Sequence, residues 1–347
     1  MKSLILFFLI FFSSCANIVP PNGGEIDTTA PVLLYSVPNN KEINFKESKM
    51  EFVFDEKIVD SDFEQNFLIS PPLLNNSSHS IKGNKLVVQL ESSLEENTTY
   101  SILLSKTIKD LNEGNEIQNL SLCFSTGKQI DSLTLKGKVI DILYNQALNN
   151  AYVALYIVDK NKPLPNLKSE NPNYITKTDS KGNFYFKNLK KYYYYIYAFD
   201  DIDLNGSYNL IDEKVGFIDS MIYTGQNEIL VNAFSLNFIK DTIYIPAMDS
   251  SSSFGNLIID SIPSNYFAEL LQSNKVIFKG KGPKLIVDSL PIGKYQARII
   301  EDLNNNNLWD KGSLENFDQA EKIIYYTEEI QIRANWDLEL KWKSKSF

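Results

Sequence analysis

Two stretches of the 347-residue chain repeat each other without a gap at a constant spacing of 101 residues. Leu189 falls on Leu290, Tyr194 on Tyr295, Asp201 on Asp302 and Asn205 on Asn306, while Phe184-Tyr185-Phe186 falls on Leu285-Ile286-Val287. Each copy reads as a short strand, a leucine-containing turn, a longer strand and then a loop rich in Asp and Asn. Such self-similarity predicts two related β-sandwich units built on one plan. In the second copy Tyr295, Ala297 and Ile299 fall on one side of a strand and Gln296 and Arg298 on the other, so one face is core.

The same period of two runs through the rest of the chain. Met50, Phe52 and Phe54 share a side, and further strand-like runs cover 85–90, 100–104 and 120–124, with Asn, Gly, Ser and Pro between them. At the far end Trp336, Leu338, Leu340 and Trp342 alternate as in a closing strand. Regular short strands joined by polar turns predict sandwiches. The length exceeds one ordinary domain. The expected fold class is all-β, a string of three β-sandwich domains.

Composition narrows the function. Lys and Arg total 34 against 43 Asp and Glu, a formal charge of -9, and the only arginines are Arg298 and Arg333. Phosphate groups would find few partners, so nucleic acid is not expected to bind. One histidine, His79, and two cysteines, Cys15 and Cys123, exclude most nucleophile–base triads, metal sites of several His or Cys, and a disulfide framework. What remains is a protein that binds through oxygen ligands or surfaces, with no catalytic residue to name. Aspartate-rich loops, not paired carboxylates at acid–base spacing, dominate the acidic positions; a carboxylate-dependent envelope hydrolase is the remaining enzymatic alternative.

Residues 1–14 read as a signal peptide: Lys2, an apolar stretch from Leu4 to Phe12, then Ser13 and Ser14. The run Phe12-Ser13-Ser14-Cys15 resembles the lipobox of bacterial lipoproteins, which implies cleavage before Cys15 and acylation of that residue. Acyl chains contribute about 0.8 kcal/mol per buried CH2, so two or three would hold the chain on a membrane. Residues 15–30, with Pro20-Pro21 and Gly23-Gly24, read as a tether. Cys123, between Leu122 and Phe124, reads as an inert core thiol.

Residues 31–127 resemble the bacterial Ig-like module first described in S-layer proteins. The resemblance is carried by Asp27-Thr28-Thr29-Ala30-Pro31, Phe54-Asp55-Glu56-Lys57-Ile58-Val59-Asp60, residues 94–100, Asp110-Leu111-Asn112-Glu113-Gly114-Asn115 and Phe124-Ser125-Thr126-Gly127. Residues 129–248, through Gly137-Lys138-Val139, residues 152–155 and 178–184, are similar to the carboxypeptidase regulatory-like, transthyretin-like sandwich, a non-catalytic appendage. Residues 250–347 share that likeness through Leu290-Pro291-Ile292-Gly293-Lys294-Tyr295. The whole pattern, closing on Arg333-Ala334-Asn335-Trp336, resembles Ig-like-domain lipoproteins of Bacteroidota. It implies a lipid-anchored outer-membrane protein that scaffolds an envelope complex, and glycan is the alternative ligand.

The repeated loops supply the candidate metal ligands. In the first, Asp201, Asp203, Asn205, Ser207, Asp212 and Glu213 approach the spacing of a calcium loop, with Gly206 at the sharp turn. In the second, Asp302, Asn304, Asn306 and Asp310 keep the alternation, and Glu315 would have to reach back to close the site. Ca2+ is therefore the expected cofactor, although Asp and Asn also populate ordinary turns. His79, in the polar run 75–80, is expected in an exposed loop. The aromatic run 192–195, with Tyr197 and Phe199, is expected to be a strand with one face in the core and the other on a neighbouring unit, the alternative being a sugar-stacking surface.

Overall fold

The computed structural model describes residues 26–73, 77–209, 212–225, 228–237, 243–244 and 253–342. The signal segment 1–14, Cys15 and most of the tether lie outside the described residues. The chain is nearly all β, a string of sandwiches with one short helix, Phe63–Asn66, among the described residues.

In the first sandwich the strands Leu33–Val37, Lys49–Phe54, Lys85–Gln89 and Ser78–Lys82 form one antiparallel sheet. A second sheet of Phe67–Ser70, Thr99–Leu104 and Leu120–Ser125 faces it. Alternation puts Met50, Phe52, Phe54, Leu86, Val88, Tyr100 and Phe124 between the sheets, all buried. Each such side chain contributes about 1.5–3 kcal/mol by leaving water. Cys123 is buried beside them as a free thiol. His79 differs from expectation: it lies within the strand Ser78–Lys82, pairs its Nε2 with Asp60 and stacks on Phe63 at 4.1 Å between ring centroids. The polar sequence around it hid a strand whose residues alternate between solvent and that partner pair.

The turn after Ile108–Asp110 shows why its acidic residue is there. Asp110 is buried, and its two oxygens accept four backbone N–H groups, from Asn112, Glu113, Gly114 and Asn115, at 2.6–2.9 Å. Burial works against the charge, but those four donors outweigh it and hold the carboxyl at about 2. A depressed folded-state pKa gives stability that is complete above the unfolded value, about 3.9, and lost as pH falls through the folded one. Melting of the first sandwich is therefore expected to drop by several degrees between about pH 4 and pH 2. Asp110→Asn should lower melting at pH 7 and flatten that acid limb; an unchanged limb in the variant would assign it to other carboxylates.

The two later sandwiches share a topology that the sequence repeat only partly covers. In the second, Leu133–Asp141 pairs antiparallel with Asn183–Leu189 and parallel with Ile229–Ser235. In the third, Phe254–Asp260 pairs antiparallel with Lys284–Pro291 and parallel with Asp337–Lys341. The aligned triplets behave identically: Phe184, Phe186, Leu285 and Val287 are buried, while Tyr185 and Ile286 are about half exposed. Leu338 and Leu340 pack against the third core and Trp342 lies in it; Trp336 stays outside the strand, with the Arg333 guanidinium 5.2 Å from its ring.

The two junctions are chemically different. Between the first and second sandwiches the contacts are mainly polar: Ile175 N–H donates to Ser70 Oγ at 3.0 Å, Ser101 Oγ to Asn188 Oδ1 at 3.1 Å, and Lys177 Nζ to the Gln65 carbonyl at 2.8 Å. Between the second and third the contact is aromatic. The strand Tyr193–Phe199 places Tyr194, Ile196 and Ala198 in its own core and turns Tyr195 and Tyr197 toward Phe317 of the third sandwich, 5.9 Å from each ring. Phe317 also stacks on Phe217 at 4.8 Å, and Phe267, Ile300 and Trp309 complete the cluster. Tyr194 thus lies in the core and Tyr195 and Tyr197 on a neighbouring unit, whereas Tyr192 and Tyr193 of the same run stay exposed.

One of the two arginines fastens this junction. Arg298 is 3% exposed; its guanidinium grips Glu269 at 2.7 and 2.8 Å and donates to the Leu143 carbonyl of the second sandwich at 2.6 Å, with Tyr325 Oη on the same carbonyl. Alternation predicted the side of the strand on which Arg298 lies, and that side is buried too. Gly312 closes the contact from the third sandwich: a Cβ there would stand 2.5 Å from the Phe234 ring and 2.5 Å from the Asp318 carbonyl.

Candidate functional site

The first acidic loop links Tyr193–Phe199 to Lys214–Phe217. Asp201 organises its first turn: Oδ1 accepts the Asn205 N–H at 3.0 Å and Oδ2 the Gly206 N–H at 2.8 Å. Gly206 holds φ 77°, which a side chain would strain. Glu213 comes in from the far end of the loop, fully buried, with Oε1 accepting the Ile202 N–H at 3.2 Å and Oε2 the Asn209 N–H at 2.8 Å. Oxygens of Asp201, Asp203 and Glu213 all lie within 4.8 Å of one another, a spacing at which three carboxylates can share a cation.

The other candidates of this loop play different parts. Asn205 donates through Nδ2 to Asp203 at 2.8 Å and accepts the Ser207 N–H at 2.8 Å. Asp212 is exposed and accepts from Asn237 Nδ2 at 2.6 Å, so Glu213, and not Asp212, is the converging carboxylate. Beneath the loop Asp200 is pushed up by burial, against its bond to the Lys214 N–H and the nearby Lys214 ammonium. Tyr208 is pushed up to about 12, first by burial and then by Glu213.

The second loop repeats this plan around a cation of its own. Asp302 accepts the Asn306 N–H at 2.9 Å and the Asn307 N–H at 3.2 Å, as Asp201 does from Asn205 and Gly206. Lys281 Nζ sits 2.7 Å from Asp302 and 3.0 Å from Asn305 Oδ1. Strand register puts Lys177 where Lys281 stands, because Tyr152 pairs with Lys177 and Phe199 as Phe267 pairs with Lys281 and Ile300, but Lys177 donates to the Gln65 carbonyl instead of bonding Asp201. Burial opposes the charge on Asp302, but Lys281 and the loop N–H groups pull its pKa down. Asn304 and Asn306 turn their Nδ2 groups onto Asp310 at 2.7 and 2.8 Å.

Glu321, absent from the sequence reading, closes the second loop. Its oxygens accept the Leu303 and Asp310 N–H groups, both at 2.9 Å, reproducing the Glu213 bonds to Ile202 and Asn209. Glu315 is exposed and does not take that place. Glu321 is 108 residues from Glu213, seven beyond the repeat spacing, which is why an ungapped alignment misses it. The signal was present: Glu213-Lys214-Val215-Gly216-Phe217 and Glu321-Lys322-Ile323-Ile324-Tyr325 are both Glu-Lys followed by a strand.

The facing sheets of the first sandwich, its buried Asp110 turn and its chain order meet an independent observation: residues 27–126 match the family model described as a bacterial Ig-like domain. These residues are an Ig-like domain. No curated protein matches the chain. Among solved structures, the N-terminal part of the bacterial S-layer protein SbsC is similar at 14% identity over 60% of this chain and 44% of that one, with a TM-score of 0.21. The Bacillus anthracis TIE protein is similar at 13% identity over 92% and 58%, TM-score 0.19. The Streptococcus pneumoniae pilus adhesin RrgA is similar at 11% identity over 55% and 32%, TM-score 0.19. The chain spans between a third and three fifths of these relatives, and none overlaps closely enough to assign a role beyond the Ig-like domain. No helix among the described residues is long and apolar enough to cross a membrane.

Proposed function

We propose that the chain is a lipid-anchored, non-catalytic envelope protein that holds a binding surface away from the bilayer as an accessory to an outer-membrane complex. Cys15 would carry the acyl chains, residues 16–30 the tether, and the Ig-like domain with the two sandwiches beyond it the standing part. The observation that supports this reading is the second junction, where aromatic packing and buried Arg298 join two sandwiches as one stiff body. A hydrolase has no observation in its favour: the converging carboxylates are held by backbone donors, not set as an acid and a base. Metabolic labelling with an acyl-chain analogue should mark the wild type and not Cys15→Ala, and crosslinking from native membranes should recover an integral envelope protein. A soluble, unlabelled chain would overturn the anchor.

Calcium in this reading occupies the first loop, where Asp201, Asp203 and Glu213 converge without a lysine bonded among them, while Lys281 serves the second. Exposed modules of this kind bind at about 10⁻⁴–10⁻³ M. Free calcium at tenfold the dissociation constant adds about 1.4 kcal/mol. The melting temperature should rise with calcium in the wild type and in Asp302→Ala, and stay fixed in Asp201→Ala/Asp203→Ala. An equal rise in that double variant would remove calcium from the loop.

A further inference from the structure

The polar first junction leaves a groove of about 770 Å³ between the Ig-like domain and the second sandwich. Junction grooves of this size are where ligands of a few rings fit. Over half of the lining is Asn, Gln, Ser or Thr, groups able both to donate and to accept; Ser70, Ser101, Thr178 and Asn183 are already bonded within the protein, which leaves others such as Gln118, Ser121, Asn149 and Asn150 facing a ligand. Three lysines line it against one carboxylate, Asp179, in a chain whose overall charge is negative. Asp179 is occupied by its own turn, accepting from the Lys181 and Asn183 N–H groups at 2.8 Å and from Asn183 Nδ2 at 3.0 Å. Among the described residues none of Lys106, Lys177 and Lys187 is in an ion pair with a carboxylate. Lys177 is half-buried, held by the Gln65 carbonyl and lying 4.4 Å above the Tyr152 ring. Burial pulls its pKa down to about 8, with Asp201 opposing from the neighbouring loop, so an arriving anion would relieve a cation that has no counter-charge in contact. Tyr185 offers a ring 49% exposed, with Lys187 Nζ 5.4 Å from its centroid.

We propose that this groove binds a carboxylate-bearing oligosaccharide, with the Tyr185 ring as the platform for one sugar face, Lys177 and Lys187 as the counter-charges for its carboxylates, and the Asn, Ser and Thr side chains as partners for its hydroxyls. An acidic peptide would satisfy the lysines but would leave the amides and hydroxyls not already bonded within the protein without a ligand partner. The site lies apart from the strand Tyr193–Phe199, whose Tyr195 and Tyr197 are taken up by Phe317, and it does not depend on lipid anchoring.

The test is calorimetric titration of the intact protein with hexagalacturonate, with maltohexaose as the neutral hexasaccharide and hexaglutamate as the acidic peptide. Hexagalacturonate should bind at least tenfold more tightly than either. Tyr185→Ala should weaken it about tenfold, Lys187→Ala and Lys177→Met severalfold each with a shallower salt dependence, and Tyr193→Ala should change nothing. Lys187 and Tyr185 are exposed strand residues, so their variants keep the fold even if Lys177→Met does not. Equal affinity for the neutral sugar, equal or tighter binding of the peptide, no binding of the uronate, or binding indifferent to Tyr185 and Lys187 would each overturn the assignment.

Discussion

Arg298→Met is expected to lower the unfolding free energy of the paired second and third sandwiches by about 3 kcal/mol. The variant keeps the apolar stem but leaves Glu269 charged and 6% exposed without its guanidinium, and the loss from breaking a buried pair in this way is about 3–5 kcal/mol. Lys279, 3.5 Å from Glu269, tempers the loss, which is why the low end applies. The Leu143 carbonyl keeps Tyr325, so that acceptor is not stranded. For a unit of this size the midpoint should fall by about 6–12 °C. Arg298→Lys should recover part of the loss, because one ammonium cannot reach Glu269 and Leu143 together. A shift below 2 °C in the methionine variant would mean that the pair is energetically idle.

Phe317→Ala is expected to change how the molecule unfolds more than how stable each part is. A large buried aromatic costs about 3–5 kcal/mol when truncated to alanine. Phe317 is half-buried, so about 2 kcal/mol is the expected loss. Its ring is the one that touches Tyr195, Tyr197 and Phe217 together, so its removal opens the centre of the second junction. Calorimetry of the wild type should resolve two transitions, the Ig-like domain and the two later sandwiches as one unit, because polar junctions permit independent motion and large apolar ones do not. In the variant the second transition should divide. Three transitions already present in the wild type would show that the aromatic cluster does not couple its neighbours.

Much of the fold was legible because a sheet writes its burial at period two. Met50, Phe52 and Phe54, or Phe184 and Phe186 around Tyr185, announce their faces without reference to distant residues. Face assignment also separated Tyr194 from Tyr195, but only the assembled structure shows that the outward tyrosines meet Phe317. What a side chain finds on the far side depends on contacts over a hundred residues away, as with Arg298 and Leu143. The loops were legible in their starts, Asp201 and Asp302, because Asx turns are local. Their closing carboxylates were legible only in part: Asp212 and Glu213 stood together at the expected spacing and Glu213 is the one that turns inward, while an insertion moved Glu321 out of register. His79 was misplaced for a related reason, since its strand is made by pairing with residues 85–89 and its own sequence is polar.

The stretch between Asp310 and Glu321 has a consequence for the order of the beads. It carries Gly312, pressed on Phe234, and Phe317, seated among Tyr195, Tyr197 and Phe217; among the described residues the first loop, shorter by seven, has no counterpart to either. One copy of the duplicated unit is therefore a socket and the other a plug. Two second sandwiches would meet with two sockets and nothing to fill them, so the array has a built-in polarity, and lengthening it along this contact would need a new unit bearing the plug.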